Sequence, residues 1–133
     1  MSSVLDETIN GFLAEVDGSI PANQIFVNAP LSDLSTYRVG GPAALLIKVE
    51  DDSSFSTILR GLAKFPMPVM VMGNGSNVLI SDRGFEGIVL KLGEFFESIE
   101  IEDKTVKVGA AAKLPIVARE TVKFGLSGFE WAV

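Results

Sequence analysis

The sequence predicts an α+β domain, and three observations carry that prediction. Two short apolar runs, Ala44–Val49 and Val69–Met72, flank a segment whose apolar residues recur at helical spacing. Two strictly alternating segments, 98–102 and 105–108, face each other across Asp103-Lys104 as an antiparallel hairpin. Amphipathic helical patterns lie near both ends of the chain, over residues 4–16 and 114–124.

The first helix places Val4, Leu5, Ile9, Phe12, Leu13 and Val16 on one face, with acids opposite and Gly18 as its stop. It is expected to pack on the domain rather than carry chemistry. Residues 19–23 read as a connector. Residues 28–42 are too rich in Pro, Gly and Ser for a regular element and lead into strand Ala44–Val49. Asp51, Asp52 or Ser53 then caps a helix whose inner face is Phe55, Ile58, Leu59, Leu62 and Ala63, and Pro66 ends it. Strand Val69–Met72 follows, then a Gly-Asn-Gly-Ser-Asn loop, then a strand Val78–Ile80. Residues 81–84 form a turn and 87–92 a further strand. After the hairpin, residues 109–112 lead into the last helix, with Leu114, Val117, Ala118, Thr121 and Val122 inward and Gly125 as its C-terminal cap.

Composition narrows the chemistry. The 133 residues are 47% hydrophobic and 21% charged, enough for one globular domain with its own core. The absence of cysteine excludes disulfides, thiolate metal sites and Cys nucleophiles, and the absence of histidine excludes a His-based triad or general base within this chain. Net charge is −6 and the 11 Lys and Arg are scattered, so no nucleic-acid partner is expected. Residues 1–7 lack the basic start of a signal peptide, and no apolar run reaches the roughly 18 residues that span a bilayer. The expected setting is the cytoplasm, without a membrane partner.

The loop Gly73-Asn74-Gly75-Ser76-Asn77 is the main candidate site. One reading is a tight turn, since Gly and Asn tolerate positive φ. The other is a phosphate grip. The loop is longer than a turn needs, follows a strand, and combines flexible backbone with a hydroxyl and two carboxamides. It holds no Lys or Arg, so such a site would bind through hydrogen bonds. It lacks the Gly-Lys-Ser/Thr of a nucleoside triphosphatase loop and does not match Gly-x-Gly-x-x-Gly. A second candidate is residues 36–42. Gly40 and Gly41 either turn the chain or bring backbone near a flat ligand, and Tyr37 or Arg38 is either solvated or near that ligand. A third is residues 125–132, read as a helix cap followed by a core-bound segment in which Trp131 packs. Glu100 and Glu102 alternate outward on a strand and make no catalytic carboxylate pair.

Three motifs occur in order: residues 28–42, with Asn28-Ala29-Pro30-Leu31 and Thr36-x-Arg38-x-Gly40-Gly41-Pro42; Gly73-Asn74-Gly75-Ser76-Asn77; and Gly125-Leu126-Ser127-Gly128-Phe129-Glu130. Together they resemble the N-terminal part of the UDP-N-acetylenolpyruvoylglucosamine reductase family, over about residues 28–133. The resemblance implies an α+β FAD-binding fold of the vanillyl-alcohol oxidase and p-cresol methylhydroxylase type, incomplete here. It implies FAD as cofactor, NADPH as reductant and UDP-N-acetylglucosamine enolpyruvate as the substrate of the complete enzyme. It places the FAD pyrophosphate on Met72, Gly73, Asn74, Gly75, Ser76, Asn77 and Val78.

The same resemblance limits the chain. The family's second glycine loop, of Gly-Ile-Pro-Gly type, and its catalytic Arg, Ser and Glu lie in regions with no counterpart here, so no catalytic and no metal-binding residue is assigned. The apolar ending at residues 129–133 fits a fragment or truncation that is inactive alone and holds FAD weakly or not at all. The expected organisation is an N-terminal helix and connector over residues 1–24 and a truncated FAD-binding domain over 25–133. A non-catalytic module that kept the fold to bind a nucleotide or partner is the alternative. An FAD oxidase of another substrate is a third reading, which the 28–31 and 126–130 segments disfavour.

Overall fold

The computed structural model describes residues 3–132; Met1, Ser2 and Val133, which belong to the two terminal segments considered above, lie outside the described residues. Along the chain come α1 (Ser3–Val16), β1 (Ile25–Pro30), β2 (Pro42–Val49), α2 (Asp52–Lys64), β3 (Val69–Met72), β4 (Phe85–Leu92), β5 (Ile99–Glu102), β6 (Thr105–Val108) and α3 (Leu114–Lys123). Single 3-10 turns lie at Ala22–Gln24, Ser32–Leu34, Glu94–Glu97 and Glu130–Ala132.

Four strands form one sheet in the order β1-β2-β4-β3. β4 runs parallel to both β2 and β3, and β1 lies antiparallel on the outer edge of β2. The strand-helix-strand unit expected from the sequence is present, with β4 inserted between its two strands. β2 and β4 are covered on both faces, which is why each reads as a nearly unbroken apolar run. Leu45, Ile47, Val49, Ile88 and Leu90 join Phe12, Val16 and Ile58 of the two helices in the main core. Leu46 and Val89 point the other way and join Leu31, Met72 and Ile80 in a second core. The hairpin pairs Ile99 with Val108 and Glu102 with Thr105 across Asp103, whose φ is 53°.

Asp51 is the residue that caps α2: its Oδ1 accepts from the Ser54 N–H at 2.7 Å. Hydrogen bonding by that N–H holds the Asp51 carboxyl below its ordinary pKa. The buried face of α2 is Ser54, Ile58 and Gly61, and Leu59 and Ala63 are exposed instead of inward. The reason lies at Gly61, where an added Cβ would come 2.8 Å from Phe12 Cε2. Close approach of α1 turns the helix toward its glycine and away from Leu59. On α3, Val117, Ala118 and Thr121 are buried as expected, but Leu114 and Val122 are exposed. The apolar stripe of α3 is wider than the surface it packs against.

Two strand expectations are corrected. Residues 28–30 belong to β1 rather than to an irregular lead-in; Pro30 is tolerated because β1 is an edge strand and its missing N–H removes no ladder bond. Residues 78–80 form no strand. Val78 and Ile80 are apolar because they pack under the sheet, in the second core, while Leu79 faces outward.

Candidate functional site

The glycine loop leaves the sheet at the end of β3, where the Met72 side chain is fully buried. Gly75 has φ +65°, and a Cβ there would run into the Leu34 carbonyl oxygen. The Thr36 N–H donates to the Gly75 carbonyl at 3.1 Å, so the loop is seated on residues 34–36. From the other side Lys91, on β4, donates through Nζ to the Gly73 carbonyl. Among the described residues, the backbone N–H groups of Asn74, Gly75, Ser76 and Asn77 have no protein acceptor. A loop with the Gly73 and Gly75 carbonyls engaged and its N–H groups free offers donors to an anion.

That surface borders a cavity of about 620 Å³. Gly73, Asn74 and Ser76 line one wall, and Ala111, Lys113 and Leu114 line the other. Trp131 lies at its rim, 72% exposed, with its ring centroid 5.4 Å from that of Phe129. The Asn74 amide reaches across to the Ala111 carbonyl at 3.4 Å. α3 begins at this wall, capped by no side chain, so its positive end and the Lys113 ammonium both add a favourable field for negative charge. The Ala, Leu and Trp surfaces supply the apolar remainder, as in sites for flat organic cofactors.

Lys91 is half-buried behind the loop. Loss of hydration lowers its pKa from 10.5, against the opposing pull of Glu97 and Glu50; Lys113 and Lys48 lower it further. Ser35 is another polar group next to the loop: its hydroxyl is buried without a protein partner.

Of the sequence-predicted site residues, Gly73, Asn74 and Ser76 come together on the cavity wall. Gly75 faces the 34–36 segment, Asn77 is exposed, and Met72 and Val78 send their side chains into the second core, leaving only main chain for a ligand. Gly40 and Gly41 pack against the chain at residues 80–84, with the Gly41 N–H donating to the Ser81 carbonyl at 2.8 Å, which is the turning role. Tyr37 and Arg38 are exposed. Trp131 does not pack in the core as expected. Lys91, Ala111 and Lys113 were missed. Lys91 alone had a sequence signal, a single charge interrupting the apolar run Ile88-Val89-Leu90-Lys91-Leu92.

An uncharged glycine loop at the end of a parallel strand, opening on a cavity beside a helix N-terminus, defines a dinucleotide-cofactor domain. The chain belongs to the FAD binding domain family, which it matches over residues 43–133. It is 39% identical over 103 residues to UDP-N-acetylenolpyruvoylglucosamine reductase 2 of Symbiobacterium thermophilum, covering 77% of this chain and 33% of that protein. The crystal structure of UDP-N-acetylenolpyruvylglucosamine reductase (MurB) from Thermus caldophilus matches with a TM-score of 0.57 at 34% identity, over 80% of this chain and 35% of that one. Wild-type Phl p 4.0202, a glucose dehydrogenase, matches with a TM-score of 0.54 at 12% identity over 89% of this chain and 26% of its own; it shares the fold alone. The α+β FAD-binding fold expected from the sequence is thus the fold found. The chain spans about a third of the length of the curated relatives it matches.

Proposed function

We propose that this chain supplies the pyrophosphate grip of an FAD site in an NADPH-dependent reductase that converts UDP-N-acetylglucosamine enolpyruvate to UDP-N-acetylmuramate in the cytoplasm. The observation that carries the reading is the run of free N–H groups from Asn74 to Asn77 at the edge of the cavity. The residues fit a pyrophosphate: it brings only acceptors, and the loop offers four free main-chain N–H donors and no charged acceptor, with an unpartnered Ser35 hydroxyl close behind. FAD, when bound, supplies hydride transfer between nicotinamide and substrate. The chain's own residues bind and orient it. Met72, Gly73, Asn74, Gly75, Ser76, Asn77 and Val78 form the grip, Met72 and Val78 through main chain alone. Lys113 and the α3 N-terminus offset phosphate charge, and Leu114 and Trp131 exclude water from one side.

In this reading residues 1–24 are a helix and connector that complete the core, and residues 25–133 carry the cofactor surface. No residue here takes a catalytic part; substrate reduction belongs to the remainder of the full-length enzyme.

Trp131 is the sole tryptophan and lines the cavity, so its fluorescence reports occupancy. Titration of the folded chain with FAD should quench it in a saturable way. The chain alone is expected to hold FAD weakly, so the emission is read after correction for flavin absorption; a folded chain whose corrected Trp131 emission shows no saturable change up to millimolar FAD would contradict the grip. The full-length, flavin-loaded protein should oxidise NADPH only when the enolpyruvyl sugar nucleotide is present; oxidation independent of that substrate, or none, would refute the substrate assignment.

A further inference from the structure

Two carbonyls of the glycine loop are held by groups that do not line the cavity. Lys91 Nζ donates to the Gly73 carbonyl, and the Thr36 N–H donates to the Gly75 carbonyl at 3.1 Å. A trans peptide is planar, so a carbonyl and the following N–H point in opposite directions. Drawing the Gly73 carbonyl toward Lys91 therefore turns the Asn74 N–H away from Lys91. Drawing the Gly75 carbonyl toward Thr36 does the same to the Ser76 N–H. Asn74 and Ser76 are the two non-glycine loop residues that line the cavity.

We propose that Lys91 is a positioning residue for the cofactor, a side chain that fixes the loop so that the alternate amides of Asn74 and Ser76 aim at a nucleoside diphosphate. The inference rests on the FAD reading above. Lys91 does not line the cavity and so acts through Gly73, not on the ligand. Its neighbours are those of a tether. Glu50 and Glu97 balance its charge, Lys48 and Lys113 lie near enough to oppose it, and Leu90 and Leu92 anchor its backbone in the core. A loop rich in Gly has many conformations to lose on binding, and a charge-assisted bond to one of its carbonyls removes much of that loss beforehand. The absence of a cation from the loop sequence is thereby explained: the cation comes from β4 and acts on the backbone.

The test is a titration of the 15N-labelled chain with ADP, followed by amide shifts, which register millimolar binding. The amides of Asn74 and Ser76 should shift more than those of Gly75 and Asn77. Lys91→Met should weaken ADP binding about tenfold while the amides of the sheet stay in place, and Lys91→Arg, which keeps a charged donor, should bind within about threefold of the original chain. Largest shifts at Gly75 and Asn77 would overturn the proposed aim, and this readout needs no variant if Lys91→Met fails to fold. Lys91→Met binding ADP as tightly as the original chain would overturn the tether and leave the FAD reading standing. A loop indifferent to ADP would bring down both.

Discussion

At Gly75 two constraints meet. Its φ of +65° is one that residues with a Cβ rarely adopt, and the space a Cβ would fill belongs to the Leu34 carbonyl. The clash is with backbone, which cannot swing aside as a side chain can. Gly75→Ala should therefore cost about 2 kcal/mol or more of stability and lift the loop from residues 34–36, seen as a lower urea midpoint and lost ADP response. An unchanged midpoint would mean that the loop is not seated on that segment. The composition of this loop was plain in the sequence, and so was the choice between turn and anion grip. What decides between them is not local. Lys91 and Thr36 lie far along the chain from the loop, and no spacing rule connects either to it. Ser35 was equally silent, because a lone Ser in a polar segment carries no sign of burial.

Elements were legible where their signals were local. Asp51 caps α2 as the sequence suggested, and Gly125 follows the end of α3. The Asp51 cap carries a pH dependence with a definite sign. Its carboxyl is held below its ordinary value of 3.8, so it stabilises the folded state above that value and loses the effect as pH falls through the lower, folded value. Asp51→Ala should lower the denaturation midpoint at pH 7, and the gap between the two proteins should narrow as pH falls below 3.8; a gap that stays constant into acid would assign the loss to something other than the carboxylate. Elements were misread where partners decide. Residues 78–80 have strand composition, but the open edge of β3 is not where they go. The inner faces of α2 and α3 were drawn from apolar spacing alone, while Phe12 against Gly61 sets the true rotation of α2. β1 was hidden by Pro30, which only an edge strand accommodates.

At the scale of the molecule, two cores share one sheet, and several large apolar side chains are left open. Val122 and Phe124, on and just after α3, are 64% and 62% exposed. Covering either side chain is worth about 1.5–3 kcal/mol, so the isolated chain should associate with itself as concentration rises. Sedimentation should show this, and Val122→Lys with Phe124→Lys should abolish it; association that survives both changes would place the contact elsewhere, with the exposed Val69 and Val71 of edge strand β3 or Val27 of edge strand β1 next to be tested. Lastly, the glycine loop owes its shape to two tethers drawn from β4 and from the segment after β1. Neither is near the loop until the sheet has closed, and contacts between distant parts of a chain form late. Affinity for ADP should accordingly appear in the last phase of refolding, after the far-ultraviolet signal is complete, which makes ligand capture a clock for the closing of the sheet.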